Sequence, residues 1–172
     1  MAEALLTHGS EFTQSRLMEL LHYNPLNGKF TWRVAIGRKI RVGDIAGSVD
    51  RHNGRTRIRF SGRSYYAHRL AWLYVVGGWP LLEVDHADGN PGNNAWTNLR
   101  LASSSQNNAN RRTLMSKERG LKGVRFDARD GRWQARIQVE GKRVSLGRYA
   151  SAEAAQDAYT AAAVLLFGQF AY

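Results

Sequence analysis

The sequence predicts an α+β protein built as two small, mostly antiparallel units, each with its own helix packing. Three observations carry this. Short alternating runs separated by Asn-Gly, Asp-Gly and Glu-Gly pairs read as hairpins, not as crossover units. Helical spacing of apolar residues is confined to short segments and one alanine-rich stretch near the end. A stretch around residues 113–119, "TLMSKER", has little apolar periodicity and reads as a linker between a unit at 1–112 and a unit at 120–172.

Taken in order, residues 14–23, "QSRLMELLHY", read as a short helix with Leu17, Leu20 and Leu21 on one side. "NPLNG" is a turn and "KFTWRV" a strand. From residue 43 to about 66, Asn53-Gly54 and Ser61-Gly62 punctuate two or three antiparallel strands. Helical spacing follows from His68 to Val76 and stops at Gly77-Gly78. "LLEVDH" is a strand, "ADGNPGNNAWTN" a polar loop and "LRLAS" a second strand. "SSQNNANRR" then opens a helix with a serine N-cap. Past the linker, "GLKGVRFDARDGRWQARIQVEGKRVSLGRY" reads as three strands. "SAEAAQDAYTAAAVLLFG" is a helix with Ser151 as N-cap and Glu153 in its first turn.

Composition narrows the function classes. The net charge of +11 and a pI near 10.5 point to a polyanionic partner. The cations sit in strand-like stretches beside aromatics and not along an amphipathic helix, which favours double-stranded DNA over a membrane surface. Cysteine is absent, so disulfides and thiolate zinc sites are excluded. No run reaches transmembrane length, and the first residues lack a signal-peptide layout. The default expectation is a soluble protein of the cytoplasm.

The chemistry concentrates in residues 83–112, "EVDHADGNPGNNAWTNLRLASSSQNNANRR". Asparagine disfavours helix and strand interiors, so packing alone does not account for so many. A strand ending in Asp85-His86, a loop that folds back, a second strand and a helix can gather Asp85, His86 and Asn107 in one small volume. Two hard oxygen donors suit Mg²⁺ or Mn²⁺, with water and phosphate oxygens completing the shell. The imidazole of His86 would then act as general base on a water. Asn90, Asn93, Asn94 and Asn98 can tie down loop backbone, with Asn98 placed to hold the loop that carries His86. The plainer alternative is a satisfied loop histidine among turn asparagines.

The segment "HRLAWLYVVGGWPLLEVDHADGNPGNNAWTNLRLASSSQNNANRR", together with "YNPLNGKFTWR" and "YYAHRLAW", resembles the HNH endonucleases of the phage homing type, in the His-Me finger group. The resemblance runs from about Leu17 to Arg112. It implies a ββα-metal nuclease unit with added antiparallel strands, in which His86 is the general base and Asp85 and Asn107 bind one divalent metal, Mg²⁺ or Mn²⁺. Asn98 orients the loop, so His86 and Asn98 stand as the catalytic pair. Asn107 is preferred to Asn108 on spacing. Many relatives with other HNH patterns carry a histidine where Asn107 stands; this chain has none after residue 86, which disfavours a multi-histidine zinc or nickel site. His68 reads as structural or phosphate-contacting and not as catalytic.

In "RWQARIQV", Arg132, Gln134, Arg136 and Gln138 alternate with Trp133, Ala135, Ile137 and Val139, giving one cationic and one apolar face. Ala155, Ala158, Tyr159, Ala162 and Leu166 of the last helix are expected to cover the apolar face. The pieces "KGVRF", "GRWQARI", "KRVSLGRY" and "SAEAAQDAYTAAA" resemble the APETALA2-type DNA-binding domain. That resemblance implies Lys122, Arg125, Arg132, Arg136 and Arg143 as DNA contacts on a three-stranded sheet packed on one helix. Gln138 and Ser145 depart from the plant pattern, so the plant recognition sequence does not carry over. The combined expectation is a phage- or mobile-element-type nicking endonuclease, monomeric or weakly dimeric, whose fragment 1–112 still nicks. A DNA-binding regulator with a degenerate nuclease unit and a structure-dependent phage nuclease are the alternatives.

Overall fold

The computed structural model describes residues 12–60, 62–110 and 121–171. Contacts divide the chain into two compact units, residues 1–100 and 101–172. The architecture is α+β, with small antiparallel sheets and short helices.

The first unit begins with helix α1, Gln14–Leu20, whose N-cap Thr13 accepts from the Arg16 amide. The expected helix over 14–23 is cut short, because Leu21–Asn24 forms strand β1 and pairs with β2, Lys29–Trp32. The reason is visible in the register. Leu21 and Tyr23 alternate with His22 and face the same interior as Phe30 and Trp32. Strands β3, Ser48–Val49, β4, Thr56–Phe60, and β5, Arg63–Tyr66, form an antiparallel sheet in that order. The Ser61 half of the expected Ser61-Gly62 turn lies outside the described residues. Helix α2, Ala67–Val76, ends at Gly77 in the left-handed conformation, φ 91°, with its amide donating to the Leu73 carbonyl. Leu17, Leu21, Phe30, Ile58, Leu70 and Leu73 are the largest fully buried side chains.

Strand β6, Glu83–His86, pairs with β7, Leu99–Ala102, after a loop that ends in the 3₁₀ turn Trp96–Asn98. The division between the units falls inside β7. Helix α3, Ser104–Asn110, therefore belongs to the second unit. Its start is a reciprocal cap: the Gln106 amide donates to Ser103 Oγ at 3.2 Å, and the Ser103 amide donates to Gln106 Oε1 at 2.8 Å.

The second unit continues with β8, Val124–Asp127, β9, Arg132–Val139, and β10, Lys142–Tyr149, in the sheet order β10-β9-β8. Glu140 and Gly141, φ 49° and 78°, make the tight turn between the longer strands. Helix α4, Ala152–Phe167, is capped by Ser151 Oγ accepting from the Ala154 amide at 3.1 Å. It covers the sheet with Ala155, Tyr159, Ala163 and Phe167. Leu166, expected in that interface, is half exposed, because a strict i, i+4 row from Ala155 turns it to solvent. Ala102 and Ala109 join Ile137, Tyr159, Ala163, Phe167 and Phe170 in one apolar cluster. The sequence places α3 with the N-terminal unit; its apolar side instead packs into the C-terminal core. The linker expected at 113–119 lies outside the described residues.

Candidate active site

Asp85 and His86 close β6, and both are buried, 4% and 5% exposed. After them the chain must leave the strand and return to β7 within a dozen residues, and asparagines make that return. The Ala87 amide donates to the Asn98 carbonyl at 2.8 Å, and the Asp88 amide to Asn98 Oδ1 at 3.0 Å. Asn98 Nδ2 donates to Asp88 Oδ1 and to the Asn93 carbonyl, at 3.0 and 2.8 Å. Asn98 thus ties down the loop that leaves His86, holding its first residues and Asn93 together. Asn93 Nδ2 also donates to Asp88 Oδ2, and the Asn90 amide to Asp88 Oδ1, both at 2.8 Å. Burial raises the Asp88 pKa, but the hydrogen bonds from Asn93, Asn90 and Asn98 outweigh it and leave the carboxyl below its ordinary value. The crowd of asparagines thus has a plain physical cause, since their side chains replace strand hydrogen bonds where the backbone turns.

His86 has a partner that the sequence does not single out. Its Nε2 lies 3.0 Å from Asn94 Oδ1, and Asn94 is 3% exposed. The ring of His68 meets the His86 ring edge-on, centroids 5.0 Å apart, and stacks on Tyr66 at 5.4 Å. Burial pulls the His86 pKa down, with Arg55 acting in the same direction and Asn94, Asp85 and Asp88 opposing. For His68, burial, then His86, Arg55 and Arg69, push the pKa down to about 3, so this ring is neutral at neutral pH. Its Nδ1 is buried and has no hydrogen-bond partner among the described residues.

Asp85 Oδ2 accepts from Arg100 Nε at 2.9 Å in a partly buried ion pair. Arg100 is a second residue that sequence reasoning missed. Its only signal is a place on β7, the strand paired with the one that carries Asp85. Asn107 lies on α3, in the second unit. Among the described residues no group of three or more His, Cys, Asp or Glu could hold a metal ion.

In the second unit the register puts Arg125 opposite Gln134 and Arg143 opposite Gln138, so Arg125, Arg132, Arg136 and Arg143 share one face with Gln134 and Gln138. All four arginines are exposed. Arg136 Nη2 donates to Gln134 Oε1 at 2.6 Å. Lys122 differs: its ammonium donates to the Ala109 carbonyl of α3, and burial lowers its pKa. A cavity of about 370 Å³ opens beside this face, lined by Arg125, Arg136, Arg143, Ser105 and Asn108.

Residues 65–109 match the family model of the HNH endonucleases. That span holds α2, β6, the asparagine loop, β7 and most of α3. Protein 3.8 of Escherichia phage T7 is 42% identical over 59 residues, covering 34% of this chain and 49% of the relative. The chain therefore spans about half the length of the curated relative it matches. A solved structure of DNA binding and cleavage by the HNH homing endonuclease I-HmuI is 27% identical, with a TM-score of 0.40, covering 53% of this chain and 51% of that one.

Proposed function

We propose that the chain is a metal-dependent HNH endonuclease that nicks double-stranded DNA, with His86 as general base. The observation that carries the reading is the Asp85-His86 pair at the end of β6, buried and closed in by the Asn98 loop, inside the span that matches the HNH family. The donors read as metal-binding, the carboxylate of Asp85 and the amide oxygen of Asn107, are hard oxygens that fit Mg²⁺ or Mn²⁺. When bound, such an ion would stabilise charge on the phosphate and the leaving oxygen. His86 accepts a proton from water, the resulting hydroxide attacks phosphorus, and the P–O bond to the leaving sugar oxygen breaks, that oxygen taking up a proton from solvent. One such centre per monomer nicks a single strand.

The cationic sheet face carrying Arg125, Arg132, Arg136 and Arg143 would position the cut on DNA. A sheet of this width fits the major groove, where arginine reaches guanine edges and phosphates. Lys122 contributes less in this reading, since its ammonium is engaged with α3.

The test is relaxation of supercoiled plasmid with Mg²⁺. His86→Ala should lose roughly 10²–10⁴ in rate while DNA affinity holds. Asp85→Ala and Asn107→Ala should each raise the metal requirement sharply. Activity of His86→Ala within threefold of wild type, or full activity in EDTA, would overturn the assignment. One observation favours a second reading, a DNA-binding protein that does not cut: the Arg100 guanidinium already occupies an oxygen of Asp85. The same assay separates the two, because wild-type protein would then leave the plasmid intact.

A further inference from the structure

We infer that Asn94 is the positioning residue of this centre: its side-chain oxygen fixes His86 in the tautomer with the proton on Nε2, and the β1–β2 hairpin holds Asn94 in place. The inference rests on the reading of His86 as the base.

A ring nitrogen 3.0 Å from an amide oxygen can only donate, so the question is which end of the Asn94 amide faces the ring. The structure decides it by the other end. Asn94 Nδ2 donates to the Gly92 carbonyl at 3.3 Å, and a carbonyl cannot donate back. Flipping the amide would set oxygen against oxygen there. Oδ1 therefore faces His86, Nε2 carries the proton, and the lone pair lies on Nδ1. In the proposed hydrolysis Nδ1 takes the water proton, the hydroxide adds to phosphorus as the P–O bond to the leaving oxygen breaks, and Asn94 Oδ1 accepts from the Nε2–H of the imidazolium that forms.

Asn94 is itself held from the hairpin. Tyr23 Oη donates to the Asn94 carbonyl at 2.7 Å, and the Trp96 amide donates to the Pro25 carbonyl at 2.8 Å. Burial pushes the Tyr23 pKa up to about 12, which keeps the phenol a donor at any working pH. Gly28, φ +70°, lets the turn lie directly on this backbone: a Cβ there would come 2.2 Å from the Asn94 carbonyl carbon. Tyr23 is in turn packed by Phe30 and Tyr74, ring centroids 4.8 and 5.7 Å away. A rigid hairpin thus reaches the proton-accepting ring through a single amide.

The test compares Asn94→Leu, which removes the acceptor, with Asn94→Asp, which keeps it, in steady-state nicking of supercoiled plasmid. The leucine variant should lose about tenfold or more in kcat with KM unchanged, and the aspartate variant should recover most of that loss. Tyr23→Phe, which removes one hydroxyl and leaves the packing, should lower kcat a few-fold at the same KM. Wild-type kcat in either Asn94→Leu or Tyr23→Phe would overturn the inference. Long-range ¹H–¹⁵N spectra of the imidazoles, taken in EDTA without DNA, give a readout independent of cutting. They should show His86 protonated on Nε2 in the wild type and a tautomer mixture in Asn94→Leu. Protonation on Nδ1 in the wild type would sink the positioning role even if the enzyme nicks. A wild-type protein that does not nick would instead sink the endonuclease reading, with the tautomer still to be read from the spectra.

Discussion

Asp85 and His86 are neighbours in sequence, and an arginine stands near each, pairing with the carboxylate of the first and opposing protonation of the second. The carboxylate meets the Arg100 guanidinium, whereas the imidazole meets buried aromatic surface and the field of Arg55. Behind them His68 is a neutral ring kept from water, and that has a pH signature. Its folded pKa, about 3, is below the ordinary value of 6.5, so between those values the unfolded chain binds the extra proton. The stability it contributes is complete above about pH 6.5 and is lost as pH falls toward 3, at about 1.4 kcal/mol per pH unit in mid-window. His68→Phe should make the acid limb of stability shallower, read from urea midpoints at pH 7.5 and pH 5. It should not lower stability at pH 7.5, since it removes a buried nitrogen that has no hydrogen-bond partner among the described residues. An acid limb as steep as wild type would show that His68 does not stay neutral. At this scale the Asp-His pair and Asn98 are legible in the sequence, because their spacing matches a strand, a loop and a returning strand. Asn94 and Arg100 are not legible. Neighbouring loop asparagines carry the same local signal, and the choice among them is made by Tyr23, 71 residues away.

Among elements, the β1–β2 hairpin shows best what periodicity misses. Leu17, Leu20 and Leu21 fit a helical row, but Leu21 and Tyr23 also fit a strand, and pairing with Phe30 and Trp32 decides for the strand. The C-terminal strands are easier to read, because Asp130-Gly131 and Glu140-Gly141 fix the hairpins and alternation fixes the faces. Gly28→Ala should destabilise the first unit by roughly 1–3 kcal/mol or more, from the positive φ and the clash with Asn94. Nicking should fall with it while DNA affinity is kept. A variant with wild-type urea midpoint would show that the turn relaxes freely. On the sheet face, Arg136→Ala should cost ~1–3 kcal/mol at a preferred site and relax preference at one position. A uniform loss across random duplexes would mark Arg136 as a phosphate contact.

For the whole molecule, the joint between units matters more than the number of them. The sequence sets the boundary by the weak periodicity around 113–119, and on that basis residues 1–112 should nick alone. In the structure Ala102 and Ala109 of β7 and α3 are buried with Tyr159, Ala163 and Phe167. A chain ending at Arg112 leaves that face of α3 uncovered, and the helix is too short to persist alone. Fragment 1–112 should therefore lose the helix that carries Asn107 and fail to nick, although His86 remains. Weak, unselective nicking by this fragment would show that α3 folds without the C-terminal core. The same packing bears on how such proteins could be recombined. A crossover in the 113–119 stretch would give a hybrid whose α3 faces a foreign helix, and Ala109 would have to fit a stranger's Tyr159. A crossover just before Leu101 passes α3 and its packing partners on together. On the function proposed above, exchanging the C-terminal unit without loss of cutting would therefore run through the middle of a β-strand, where a sequence comparison would not look for a seam.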